Sequence, residues 1–307
     1  MSISRLIEKI KKTGNPTVFG LDPRPEHVPE GIRRKNYALY GNTLKAEAQS
    51  FFDFNRGLID GLCDILPGVK PQSAYYEMLG PDGAVSLRDT ICYAKEKGLY
   101  VIADVKRNDI GSTAEAYAEA YLGSVTVNGA QYEPYGADSM TVNPYLGSDG
   151  IEPFLKKCRE RDRSIFVLVK TSNPSSGEFQ NKTFEGKALY ELVAEKLSEW
   201  GKSAPGGGAY SNVGAVIGAT YPEEQKRLRA MLPDTYFLVP GYGAQGAGAS
   251  DVVNAFHEDG LGAVVVSARA IMCAWKKTGK NGDDYIEAAR AEALSMKKQI
   301  ETALAVF

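Results

Sequence analysis

The segment from Asp104 to Thr113 reads Asp-Val-Lys-Arg-Asn-Asp-Ile-Gly-Ser-Thr, so a carboxylate, an ammonium and a second carboxylate fall within six residues. An ammonium held in place by a carboxylate can stabilise developing negative charge and then hand over a proton. The apolar run 99–103 upstream, bounded by Lys97-Gly98, reads as a buried strand. Side chains alternate across a strand, which puts Asp104 and Lys106 on one face and Val105 on the other. Neither charge is stable in apolar surroundings without a partner. Asp109 falls in the following turn, and Thr113 lies one helical turn later. An Asp just before a helix is also a good N-cap, so the spacing leaves both roles open for Asp109.

The elements that must position these residues recur along the chain. Apolar, β-branched runs predict strands at 17–22, 68–72, 100–106, 139–143, 164–171, 215–219, 235–240 and 263–268. Helical patterns fall between them at 44–66, 84–97, 113–125, 151–161, 184–201, 221–231 and 251–258, with a last helix at 285–302. Strict βα alternation implies a parallel sheet, and eight units fit a closed (β/α)8 TIM barrel better than an open doubly wound sheet. In such a barrel the reactive residues stand at the C-terminal ends of the strands. Read in order, those ends supply Asp22, Lys70, Asp104 with Lys106, Asn143, Thr171 with Ser172, Gln245 and Arg269. A structural ion pair would explain Asp104 and Lys106 alone. With Asp22 and Lys70 at the same depth, four charges in one small ring are a costly way to stabilise a core.

The segment Pro240-Gly241-Tyr242-Gly243-Ala244-Gln245-Gly246-Ala247-Gly248 contains a literal G-x-G-x-x-G. It comes late in the chain, follows a proline and lacks a well-placed acid about 20 residues on, so it is a poor dinucleotide fingerprint. Loops after the seventh and eighth strands of a barrel commonly bind phosphate. Arg269, at the end of the eighth, brings the matching charge and fork geometry.

Composition bounds the rest. With 43% hydrophobic residues in 307, the chain has material for a large core, and one domain spanning 1–307 is expected. Long loops are expected at 23–42, 173–186 and 202–213; the second follows strand five on the catalytic face, the third lies on the opposite face. The amino-terminal helix is too charged for a signal peptide, and no apolar run approaches membrane-spanning length. A net charge of −2 gives no electrostatic case for nucleic acid or an anionic membrane. Four scattered cysteines and two histidines make a zinc site a poor reading and suit a reduced, cytoplasmic protein.

The ordered motifs carry a resemblance. Asp104-x-Lys106-x-x-Asp109-Ile110-x-x-Thr113, with GLDPRP, VKPQ, VKTSNPSS, VPGYGAQGAG and VSARAIM, resembles the orotidine 5′-phosphate decarboxylase family, in its longer bacterial subfamily. The resemblance runs from the first strand to the eighth. It implies conversion of orotidine 5′-phosphate to UMP and CO2 in pyrimidine biosynthesis, with no metal or organic cofactor, in a homodimer with shared active sites. By it, Lys106 matches the proton donor to C6 and Asp104 the carboxylate beside the departing group. Lys70 matches the lysine that links the charges to the ribose, and Asp22 a ribose-hydroxyl ligand. Asp109 and Thr113 match a pair given across the dimer interface. Ser172 matches the pyrimidine-amide contact, and Gln245 and Arg269 the phosphate grip. Ala268 departs from the glycine common beside that arginine.

Two other readings share parts of the pattern. A magnesium-dependent sugar-phosphate lyase would need a carboxylate near the end of strand two, where Lys70 stands and would repel a divalent ion. A catalytically idle binding barrel would require the ring of charges to be incidental.

Overall fold

The strand-and-helix alternation closes on itself. In the computed structural model, which describes residues 2–243 and 246–306, eight strands form a closed parallel barrel. In chain order the strands are β1 (Thr17–Leu21), β2 (Gly68–Pro71), β3 (Tyr100–Arg107), β4 (Val125–Val127), β5 (Ala130–Tyr132), β6 (Ser139–Val142), β7 (Ser164–Lys170), β8 (Thr183–Phe184), β9 (Lys187–Ala188), β10 (Val213–Ile217), β11 (Phe237–Val239) and β12 (Ala263–Ser267). The barrel runs β1-β12-β11-β10-β7-β6-β3-β2, each strand parallel to its neighbours. β4–β5 and β8–β9 are small antiparallel hairpins that the sequence patterns do not signal.

Alternation along each strand separates two apolar cores. Phe19, Val69, Val101, Ile165, Val167, Val239 and their like face outward and pack under the helices. Val18, Tyr100, Ile102, Phe166, Val216, Leu238, Val264 and Val266 face the lumen. The amino-terminal helix α1 (Ser2–Thr13) belongs to this inner core, because Ile3, Leu6 and Ile10 pack against it and plug the N-terminal end of the barrel. Burying each of those side chains stabilises the fold by roughly 1.5–3 kcal/mol. Ser2 completes the plug: its hydroxyl meets the Tyr100 hydroxyl at 2.8 Å and Ser164 Oγ at 3.2 Å. The turn 204–212 sits at this same end, where Ser4 Oγ donates to the carbonyls of Gly206 and Gly207.

Outside the barrel, the segment 23–42 folds as a 3-10 turn and α2 (Glu30–Tyr40) rather than as a long loop. It is followed by α3 (Leu44–Leu62), α4 (Ser73–Glu77), α5 (Gly80–Glu96), α6 (Gly111–Leu122), α7 (Glu152–Arg161), α8 (Leu189–Ser203), α9 (Pro222–Met231), α10 (Arg269–Met272) and α11 (Tyr285–Val306). The helix expected over 44–66 stops at Leu62, ahead of Pro67, which disfavours a helical residue before it. The helix expected over 251–258 is replaced by two 3-10 turns at Ala249–Asp251 and Val253–Ala255. Beside these turns the buried guanidinium of Arg229 donates to the carbonyl of Ala255 at 3.3 Å, of Gly262 at 3.2 Å and of Thr235 at 2.7 Å. Among the described residues, no helix is long and apolar enough to cross a membrane.

Candidate active site

Toward the C-terminal ends of the strands the lumen changes from apolar to charged. Lys70, from β2, lies two residues along the lumen face from Gly68. On β3 the lumen positions run Tyr100, Ile102, Asp104. Both oxygens of Asp104 are saturated. Lys106 Nζ lies 2.7 Å from Oδ1, which also accepts the Thr141 hydroxyl at 2.8 Å. Lys70 Nζ lies 2.5 Å from Oδ2, which also accepts Gln72 Nε2 at 3.0 Å.

Plain alternation does not deliver Lys106. The β3–β6 register runs from Ala103↔Met140 to Arg107↔Val142, so β3 carries two more residues than its neighbour over that stretch. Lys106 takes a left-handed backbone, φ 46°, which costs a non-glycine residue roughly 1–2 kcal/mol. The amides displaced from the ladder go to one side chain: Thr141 Oγ1 accepts Val105 N–H at 3.0 Å and Lys106 N–H at 2.9 Å. With its proton on Asp104, that hydroxyl uses its single donor and both lone pairs. The bulge and the charge cluster are therefore one construction.

Electrostatics follow from the contacts. Burial works to raise the Asp104 pKa, but Lys70 and then Lys106, by charge and hydrogen bond, hold it well below the ordinary carboxylate range. Burial likewise works to lower the Lys70 pKa, and the facing Asp104 and Asp22 reverse it, so the ammonium stays charged. Asp22 is pushed up, chiefly by burial, with Lys70 opposing. Its Oδ1 is shielded from solvent and accepts no hydrogen bond in the structure. A shielded carboxylate oxygen with no donor is a place for a ligand hydroxyl.

These groups form one wall of a cavity of about 700 Å³ at the mouth of the barrel. That size suits a ligand of nucleotide scale. Leu168, Val216, Leu238 and Val266 give it an apolar floor. Thr171, Ser172 and Asn173 stand on one side, and Gly241, Tyr242, Ala268 and Arg269 on another. The methyl of Ala268 is accommodated by β1: a Cβ on Gly20 would sit 2.6 Å from it, so Gly20 has none. Among the described residues, no three His, Cys, Asp or Glu side chains come together as a metal site.

Of the residues named from the sequence, Asp22, Lys70, Asp104, Lys106, Ser172 and Arg269 all line this cavity. Asn143 does not; its Oδ1 accepts the Tyr145 amide, and Thr141, two residues earlier, faces the lumen instead. Asp109 is not an N-cap, because α6 starts at Gly111 after Ile110 with no side-chain cap. Asp109 Oδ1 instead accepts the Ile110 amide at 2.8 Å, and neither Asp109 nor the exposed Thr113 reaches the cavity of its own chain. Gln245 lies outside the described residues. Thr141, Gln72 and His27 are cavity residues that the strand-end reading passed over. Gln72 was within reach, since it ends the Val69-Lys70-Pro71-Gln72 motif.

Comparison with known proteins agrees with this geometry. Residues 57–280 match the profile of the orotidine 5′-phosphate decarboxylase / HUMPS family. The orotidine 5′-phosphate decarboxylase of Rhodopirellula baltica is 44% identical over 302 residues, 97% of this chain and 98% of the relative. That of Caldicellulosiruptor saccharolyticus is 41% identical and covers 98% of each. Among solved structures, the Leishmania donovani OMP decarboxylase superposes with a TM-score of 0.75 at 28% identity, covering 99% of this chain and 98% of that one. The Leishmania donovani UMP synthase gives a TM-score of 0.76 at 29% identity, covering 98% of this chain and 56% of that longer one.

Proposed function

The chain belongs to the orotidine 5′-phosphate decarboxylase family, and from that premise we propose that its cavity converts orotidine 5′-phosphate to UMP and CO2 with Lys106 as the proton donor. The C6–carboxylate bond breaks, the electron pair stays on C6, and CO2 departs. An Nζ–H of Lys106 then supplies the proton that makes UMP. A carbanion at C6 has little resonance help, so the site must hold positive charge against it in advance. The observation that carries the reading is Asp104, which fixes Lys106 Nζ at 2.7 Å on one oxygen and Lys70 Nζ at 2.5 Å on the other. The Lys106 side chain is 46% exposed, so the spent amine recovers its proton from water.

The remaining roles follow the cavity. The pyrimidine lies on the apolar floor with Ser172 at its amide edge. Asp22, with its unpartnered oxygen, accepts a ribose hydroxyl beside Lys70. Arg269 and Gln245 take the phosphate. Asp109 and Thr113, which lie away from their own cavity, act in the site of a second subunit, so the working form is a homodimer. The chemistry uses no metal or organic cofactor, and the biosynthetic role puts the enzyme in the cytoplasm.

The test follows loss of orotidine 5′-phosphate absorbance with and without EDTA. Equal rates are expected, and dependence on metal would overturn the reading. In the same assay Arg269→Ala should lose about 30- to 1000-fold in kcat/KM, the equivalent of roughly 2–4 kcal/mol for a charge-assisted phosphate contact. Turnover of orotidine, which has no phosphate, should barely change. Equal losses on both substrates would remove Arg269 from the phosphate site.

A further inference from the structure

One buried ammonium has no part in the chemistry above. Lys170, the last residue of β7, is fully buried. Register explains where it goes. Leu168 pairs with Val216 but Lys170 pairs with Ile217, so Val169 is an extra residue in β7. Such a bulge re-aims the side chain that follows it. Leu168 lines the cavity and Lys170 does not. Its Nζ instead lies 2.7 Å from Asn181 Oδ1, 3.4 Å from Ser176 Oγ and 4.2 Å from the centroid of the Tyr221 ring. Among the described residues no carboxylate comes within ion-pair distance of it. A buried charge held only by neutral oxygens and aromatic rings is expensive, and both of its hydrogen-bond partners belong to one segment, 171–182.

That segment carries Ser172 and Asn173 into the cavity. Its two limbs are clasped: Thr171 N–H donates to Gln180 Oε1 at 2.9 Å, and Gln180 Nε2 donates back to Thr171 Oγ1 at 2.8 Å. Ser172 itself is seated against Gly218, the residue after β10, where a Cβ would lie 2.8 Å from the Ser172 Cα. Thr220 Oγ1 donates to the Ser172 carbonyl at 3.3 Å. Lys170 ties the far limb, through Asn181, and the turn, through Ser176, back to the rigid barrel.

Resting on the reading above that Ser172 meets the pyrimidine, we propose that Lys170 is a positioning residue for base recognition. It never touches the substrate. Its ammonium holds the 171–182 segment so that Ser172 stands at the amide edge of the ring before the nucleotide arrives, which spares the ordering cost at binding.

The test compares ligands with and without a base. Lys170→Met keeps the length of the side chain and removes the charge. It should lower kcat/KM for orotidine 5′-phosphate by about 10- to 100-fold, the scale of a displaced positioning group. UMP, as an inhibitor, should weaken by a similar factor. Ribose 5-phosphate, which has no base, should bind within about twofold of wild type. Asn181 is on the surface, so Asn181→Leu tests the same tether if Lys170→Met does not fold, and Asn181→Asp, which keeps an acceptor for the ammonium, should preserve wild-type values. Unchanged UMP binding in Lys170→Met or Asn181→Leu would overturn the proposal, as would equal weakening of UMP and ribose 5-phosphate. Wild-type protein is assayed alongside: if it failed to turn over orotidine 5′-phosphate, the functional reading would fall, whereas the variants report on the tether alone.

Discussion

Three lysines follow a valine at the C-terminal end of a barrel strand, and they reach three different destinations. Val69-Lys70 continues regular alternation, and Lys70 enters the lumen fully surrounded, against Asp104. Val105-Lys106 lies in a bulge, and Lys106 reaches the same carboxylate from a left-handed backbone with half its side chain in solvent. Val169-Lys170 follows another bulge and is turned out of the lumen, under the loop, to neutral partners. The local sequences are nearly alike. What separates them is the register against the neighbouring strand, and with it the partner each ammonium finds. Lys70 is paired and shut in, so it orders the cluster. Lys106 is paired and open to water, which suits the proton-donor role proposed for it. Lys170 has no acid within ion-pair distance among the described residues, and its charge is suited to holding a loop.

Removing Lys106 should show the largest effect. Lys106→Ala is expected to lose at least about 10³-fold in kcat, since it takes away both the positive charge and the proton. A variant that kept a tenth of the rate would erase the distinction between Lys106 and the other two. Mixing inactive Lys106→Ala with inactive Asp109→Ala protomers should recover some activity if sites are shared, because a hybrid dimer holds one intact site. No recovery after demonstrated subunit exchange would count against sharing.

Lys70→Met should act on stability as well as on rate. Breaking one partner out of a buried pair costs roughly 3 kcal/mol, read by urea unfolding. Asp104 has its pKa depressed in the fold, so its contribution is present above about pH 4, the unfolded value, and is lost as the pH falls below it. Lys70 has the opposite sign: raised in the fold, its contribution is full at neutral pH and lost only as the pH climbs past its ordinary value near about 10.4. Lys70→Met should therefore flatten the acid limb of the stability profile, and an acid limb as steep as wild type would mean that Lys70 does not hold Asp104 ionised.

The smallest effect is expected from the bulge itself. Thr141→Val keeps the shape but strands two amides and one acceptor, at a cost of about 2 kcal/mol in unfolding free energy. If the variant were as stable as wild type, the hydroxyl would not be what sustains the backbone of Lys106.

The same contrast marks how far the sequence could be read. Asp22, Lys70, Asp104, Ser172 and Arg269 were legible because each ends an apolar run, and the end of a barrel strand has only one mouth to face. The eight strands were legible for the same reason. The bulges were not, because a register slip is a property of two strands and leaves no mark on either one alone. Lys106 was thus placed correctly by an argument from alternation that the backbone does not follow. Thr141 was missed beside Asn143, since the strand ends at Val142, one residue earlier than the apolar run suggests, and leaves Asn143 beyond it. The helix expected at 251–258 gives way to two 3-10 turns, a tighter winding that the same apolar spacing does not distinguish from an α-helix.

The plug made by α1 also bears on traffic through the enzyme. With Ile3, Leu6 and Ile10 filling the N-terminal end, the barrel is a cul-de-sac. The nucleotide cavity opens at the opposite, C-terminal end, so substrate and product use the same mouth. The residues around that mouth therefore bear on exit as much as on entry.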